Sequence, residues 1–211
     1  MIELNNIKNI IFDFGGVVIN IDHDATIEAF RELGIQNFEE MFTHLQQIDL
    51  FKRLEVGMIT PAEFRDELRR ISGLNASDKE IDTAWNAMLL DFPVENQELL
   101  LELRKKFNLF LLSNTNEIHI RYYFNFLKKE HGMDNLNHLF KRIYLSHQIQ
   151  LRKPNPEVFK HVLEKEALLA GETLFIDDTL QHVEGARKTG IAGYHLRPGE
   201  TIRDLFKHFV F

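Results

Sequence analysis

Short apolar runs that each end in a polar residue recur along this chain, with helical stretches between them. This alternation constrains the fold more than any other feature. The first run holds Ile7, Ile10, Ile11 and Phe12, and stops at Asp13 with Gly15-Gly16 just beyond. Such a run reads as a buried strand closed by a turn. Leu109 to Leu112 repeats the pattern and ends at Ser113; 142–145 and 173–176 follow, and a last short strand is expected over 192–195. Between them, 95–106 sets Leu99, Leu100 and Leu103 on one helical face. Asn155-Pro156 reads as an N-cap followed by proline at the first helical position.

The stretch 22–92 breaks the alternation and holds no convincing strand. Phe38, Met41, Phe42, Leu45 and Ile48 recur at helical spacing. Thr60-Pro61-Ala62-Glu63 and Ser77-Asp78-Lys79-Glu80 are capping boxes, each opening a helix with its own apolar face. Trp85 falls on the second of those faces and reads as bundle core. The expected fold is α/β: a doubly wound, mostly parallel Rossmann-like sheet over 1–21 and 93–211, with a helical bundle inserted at 22–92. Such a bundle would stand over the carboxyl end of the sheet, where open α/β sheets bind ligands.

Composition narrows the function classes. The formal net charge of −7 repels nucleic-acid backbones and anionic membranes, so neither is expected as a partner. With no cysteine, disulfides, thiolate metal sites and a Cys nucleophile are excluded. The first residues carry no apolar signal core and no apolar run reaches the length of a membrane span, so a cytoplasmic location is expected. The 18 phenylalanines are expected to fill the core and the junction with the bundle.

Four segments at or after strand ends carry reactive groups: Asp13-Phe14-Gly15-Gly16-Val17, Ser113-Asn114-Thr115-Asn116, Arg152-Lys153-Pro154 and Asp177-Asp178-Thr179. Parallel strands would bring all four to one edge of the sheet. A carboxylate, a hydroxyl, a lysine and a carboxylate pair in that order form a constellation, where any one alone would be an ordinary turn or cap residue. Two adjacent carboxylates at a strand end repel each other, which favours a bound cation.

The order and spacing of these segments resemble the four motifs of the haloacid dehalogenase superfamily, over nearly the whole chain, and the inserted bundle is similar to that family's helical cap. The runs Ile11-Phe12-Asp13-Phe14-Gly15-Gly16-Val17-Val18, Arg152-Lys153-Pro154 and Phe175-Ile176-Asp177-Asp178 most resemble the subgroup of alpha-D-glucose-1-phosphatase and the phosphatase domain of bifunctional epoxide hydrolases. The resemblance implies a phosphomonoester phosphatase acting on a small phosphorylated metabolite, a sugar phosphate by preference. It implies Asp13 as the nucleophile, forming an aspartyl-phosphate. Ser113, the backbone at Asn114 and Lys153 would bind phosphate. Magnesium would be held by Asp13, Asp178 and the carbonyl of Gly15, with Asp177 acting through a water.

The chain departs from the family at one position. Most phosphatases of the superfamily carry a second Asp two residues after the nucleophile, where this chain has Gly15. General acid–base help is worth roughly 100- to 10,000-fold, so the change matters. The substrate could be one whose leaving oxygen needs little protonation, such as a sugar 1-phosphate. Another group could substitute, with Asp22, His23 and Asp24 nearest in sequence, although these three also read as a helix N-cap with acidic first-turn residues. Or activity could be vestigial, leaving a phosphate-binding protein. True haloacid dehalogenases also lack this Asp, but they lack the acidic pair as well, so Asp177-Asp178 favours phosphoryl transfer.

Overall fold

The structure, a computed structural model, describes residues 4–35 and 49–207. Five strands, β1 Asn9–Phe12, β2 Asn108–Ser113, β3 Arg142–Leu145, β4 Thr173–Asp177 and β5 Ala192–His195, form one sheet in the order β3-β2-β1-β4-β5. Every neighbouring pair is parallel. The described helices are α1 His23–Glu32, α2 Leu50–Glu55, α3 Pro61–Ser72, α4 Asp78–Asn86, α5 Val94–Leu103, α6 Glu117–His131, α7 Ser146–Ile149, α8 Pro156–Lys165, α9 Leu180–Arg187 and α10 Ile202–Phe206, with a 3-10 turn at Ala170–Glu172. None is long and apolar enough to cross a membrane. The helical spacing noted at Phe38, Met41, Phe42, Leu45 and Ile48 lies outside the described residues.

The expected doubly wound α/β sheet is what forms. Strand side chains alternate between faces. Ile10 and Phe12 join Leu109, Leu111, Leu174 and Ile176 in one core, covered by Leu100 and Leu103 of α5, Tyr123 and Leu127 of α6, and Phe206 of α10. Ile11, Phe110, Leu112 and Phe175 point the other way, onto Val158, Phe159 and Val162 of α8 and Ala186 of α9. Burial on both faces explains why the strands read as unbroken apolar runs.

β1 lies in the middle, and the chain winds outward from it through β2 and β3 on one side and through β4 and β5 on the other. The switch point of the topology is therefore β1/β4, where this class of sheet opens its ligand crevice. Phe12 pairs with both Leu111 and Ile176, and Asp13 N donates to Ile176 O at 2.9 Å. Asp13 and Asp177 thus leave the sheet side by side.

Helices α1 to α4 share a separate apolar cluster that includes Phe30, Leu54, Phe64, Leu68, Ile81 and Trp85, and Ile118 of α6 joins it. Phe51 stacks on Trp85 at 5.1 Å. Both capping boxes form with reciprocal bonds, at Thr60/Glu63 and Ser77/Glu80. The chain enters and leaves this region through adjacent antiparallel segments: Asp22 N donates to Met88 O at 2.9 Å and Asn20 N to Asp91 O at 3.0 Å.

Some boundaries differ from expectation. The first strand starts at Asn9 because Ile7 N turns back to Leu4 O. The helix expected over 95–106 ends at Leu103, and 104–106 form a turn. Gly185 lies against a loop: a Cβ there would sit 2.3 Å from Pro154 O, so α9 packs on the segment that carries Lys153.

Candidate active site

Lys153 is fully buried, and its ammonium sits between two carboxylates, 2.7 Å from Asp13 Oδ1 and 2.6 Å from Asp177 Oδ2. A buried ammonium is tolerated only with such partners. Its main chain is clamped by one side chain: Lys153 N donates to Asn114 Oδ1 at 2.9 Å, and Asn114 Nδ2 donates to Lys153 O at 3.0 Å. The β2 and β3 loops are tied as well, because Ser146 Oγ accepts from Thr115 N and donates to Thr115 O, both at 2.9 Å.

Asp178 completes an acidic group. One carboxylate oxygen each from Asp13, Asp177 and Asp178 lies within 4.8 Å of the others. The loop after β1 makes room for it. Residues 14–19 curl back, with Ile19 N donating to Phe14 O at 3.0 Å and Gly16 N to Ile19 O at 2.9 Å. Gly16 adopts φ +76°, and a Cβ there would fall 2.3 Å from Asp178 Oδ2. Asn96 Nδ2 anchors this loop through Val18 O at 2.9 Å.

The electrostatics follow from crowding. Burial raises the Asp13 carboxyl well above the usual range, Asp177 adds to that, and Lys153 pulls against it. Burial opposes ionisation of Asp177 too, but Lys153 and a hydrogen bond from His182 outweigh it and hold this group low. Asp178 is raised by burial and by its neighbour Asp177. Three carboxylates against one ammonium leave two negative charges uncompensated. Clustered hard oxygen donors with that excess fit a magnesium-sized divalent cation, which usually takes one or two carboxylates and keeps waters.

The sequence-derived residues come together. Asp13, Lys153 and Asp177 are in direct contact, Asp178 is beside them, and Ser113 is buried at the tip of β2, next to β1. Gly15 lies in the curled loop. The Asn114 side chain turns toward the Lys153 main chain, and the N–H of Thr115 is taken by Ser146. Asp22 caps α1 by accepting from Asp24 N at 3.0 Å, which takes this side chain as a cap. Asp177 accepts from Thr179 N at 2.8 Å ahead of α9 while also facing Lys153.

Two participants were not singled out from sequence. His182 donates from Nδ1 to the Asp177 oxygens at 3.0 and 3.1 Å. Its signal was available: it stands five residues after Asp177, within the first turn of α9. Glu55, at the end of α2, lies 2.8 Å from Arg152, and no local pattern announces that long-range contact.

The cluster lies at the switch point of a parallel sheet, where such sheets bind ligands, and sequence comparison gives its class. A family profile described as haloacid dehalogenase-like hydrolase matches residues 10–194, and the chain belongs to that family. Among curated relatives, D-ribitol-5-phosphate phosphatase from Bacteroides thetaiotaomicron is 31% identical over 193 residues, covering 92% of this chain and 93% of that protein. Among solved structures, the HAD family enzyme bt-2542 from the same species, in complex with magnesium and inorganic phosphate, superposes with a TM-score of 0.85 at 42% identity, covering 95% of this chain and 99% of that one. A HAD-like family hydrolase from Porphyromonas gingivalis superposes with a TM-score of 0.82 at 33% identity, covering 92% and 93%. The L-2-haloacid dehalogenase from Xanthobacter autotrophicus, at 20% identity and a TM-score of 0.62, covering 90% and 77%, shares the fold. Relatives thus support the family expected from the motifs; they do not single out the glucose-1-phosphatase subgroup.

Proposed function

We propose that this hydrolase is a magnesium-dependent phosphatase of a small phosphorylated metabolite, a sugar or polyol phosphate by preference, working through an aspartyl-phosphate on Asp13. The observation that carries the reading is the placement of Lys153 Nζ between Asp13 and Asp177, with Asp178 completing the acidic group. The relative that is a D-ribitol-5-phosphate phosphatase supports the substrate class.

Asp13 would attack phosphorus as the ester oxygen departs and takes a proton from water, there being no carboxylate at Gly15 to supply it, and a second water would then hydrolyse the acyl phosphate, releasing phosphate and regenerating Asp13. Lys153 would restrain the Asp13 carboxylate and neutralise phosphate charge. Ser113 would donate its hydroxyl to a non-bridging oxygen; among the described residues no hydrogen bond occupies that hydroxyl. Asp13, Asp178 and the Gly15 carbonyl would hold magnesium, with Asp177 acting through a water. Bound magnesium supplies charge neutralisation for the transferring phosphoryl group. Residues 22–92 would act as a cap on a core of 1–21 and 93–211, excluding bulk water and selecting the substrate.

The test is phosphate release from p-nitrophenyl phosphate and from ribitol 5-phosphate, with magnesium and then with a chelator. Release is expected only with metal, and Asp13→Asn should lower it by roughly a thousandfold or more. Metal-independent turnover, or turnover surviving in Asp13→Asn, would overturn the assignment.

A further inference from the structure

Arg152 and Lys153 are consecutive, yet their side chains serve opposite sides of one loop. Lys153 reaches inward to Asp13 and Asp177, while Arg152 reaches outward to Glu55 at 2.8 Å. The Glu55 segment is seated at a second point as well. Two residues on, Gly57 has φ +67° and passes so close to α7 that a Cβ would lie 2.4 Å from His147 O. The helical region is thus docked on 146–153, the stretch that ends at the lysine.

As a source of stability the Arg152–Glu55 pair is poorly built. Both side chains are largely covered, and Glu55 Oε2 and Arg152 Nε are buried without a well-aligned hydrogen bond. A half-satisfied buried ion pair barely recovers its desolvation. Burial raises Glu55, with Arg152, His182 and Lys153 opposing, so its carboxylate lies within the field of the catalytic cluster. What the pair does supply is a fixed relation between α2 and the peptide that holds Lys153.

We propose, building on the phosphatase reading, that Glu55 and Arg152 are positioning residues: their pair seats the α2 segment and so holds Lys153 between Asp13 and Asp177. Motion of the helical region is then felt at the nucleophile through one peptide bond.

The full chain tests this with Glu55→Gln, Arg152→Gln and the double variant. Each single change should lower kcat about tenfold, as expected for a small misplacement, and the double should fall no further, because the two act as a unit. The magnesium concentration for half-maximal rate should stay within about twofold. Hydrogen exchange at the Lys153 amide, which donates to Asn114, should quicken in all three variants while α8 amides stay protected, showing an intact core. Glu55→Asp, which keeps the charge, should retain more activity than Glu55→Gln. Multiplicative losses, or unchanged kcat and unchanged Lys153 exchange, would refute the coupling. An inactive wild type would instead remove the phosphatase reading, and the exchange experiment would still decide the coupling.

Discussion

Gly16 and Asp178 are in such close approach that no side chain fits between them: a Cβ on residue 16 would lie 2.3 Å from Asp178 Oδ2. The φ of +76° at Gly16 adds a second reason for glycine there. Gly16→Ala should displace the Asp178 carboxylate and incur roughly 1 kcal/mol of left-handed strain. The fold should survive, with magnesium affinity at least about tenfold weaker, since one of few carboxylate ligands is lost. Titration calorimetry with magnesium checks this, and unchanged affinity would show that Asp178 does not hold the ion.

Gly15 differs from Gly16. Its φ is not left-handed, and a Cβ there would meet only Ile21, at 3.2 and 3.5 Å. The backbone therefore accepts a side chain if Ile21 gives slightly. Gly15→Asp should restore a proton donor near the leaving oxygen. We expect turnover of alkyl phosphates to rise by about tenfold or more, and that of p-nitrophenyl phosphate, whose leaving group needs little help, to change less. Equal or lower rates on both would show that the missing acid is not what limits the reaction.

Much of this was legible in the sequence because the signals were local. A buried parallel strand writes itself as an apolar run, and the residue that ends it, Asp13, Ser113 or Asp177, inherits the sheet edge. Thr60, Ser77 and Asn155 announce helix starts within a few positions. Contacts set by tertiary docking leave no such trace. Glu55 meets Arg152 from nearly a hundred positions away, and the Asn114 side chain holds a main chain 39 residues on. His119 is similar: its partners Trp85 and Asn86 lie across the junction with the helical region, more than 30 positions back in the chain.

Lys153→Met should remove the one buried ammonium between Asp13 and Asp177. Asp13 would then lose its compensating cation and Asp177 would keep only His182, and removing one partner of a buried ion pair typically destabilises by about 3–5 kcal/mol. The loss should be milder near pH 5, because a protonated Asp needs no partner, and it should grow toward pH 8. Magnesium should recover part of the melting temperature while activity stays lost. A variant that melts like the wild type without metal would mean the lysine is not compensating these groups.

His119 gives a stability signal that can be read without substrate. The ring is buried, Nδ1 donates to Asn86 Oδ1 at 2.9 Å, and one face stacks on Trp85 at 5.1 Å. Burial pushes its pKa down to about 3, with His23 adding to the effect. The unfolded chain takes up a proton near pH 6.5, whereas the folded chain stays neutral there. Stability from this residue is therefore complete above about pH 7 and is lost as pH falls toward 3. His119→Asn has no such proton to exclude. The stability gap between wild type and variant should move by about 1 kcal/mol against the wild type between pH 6.5 and 5.5. Urea unfolding of both proteins at the two pH values measures it. A gap that holds constant would mean that the folded state admits the proton and that the junction around Asn86 is wetter than its burial indicates.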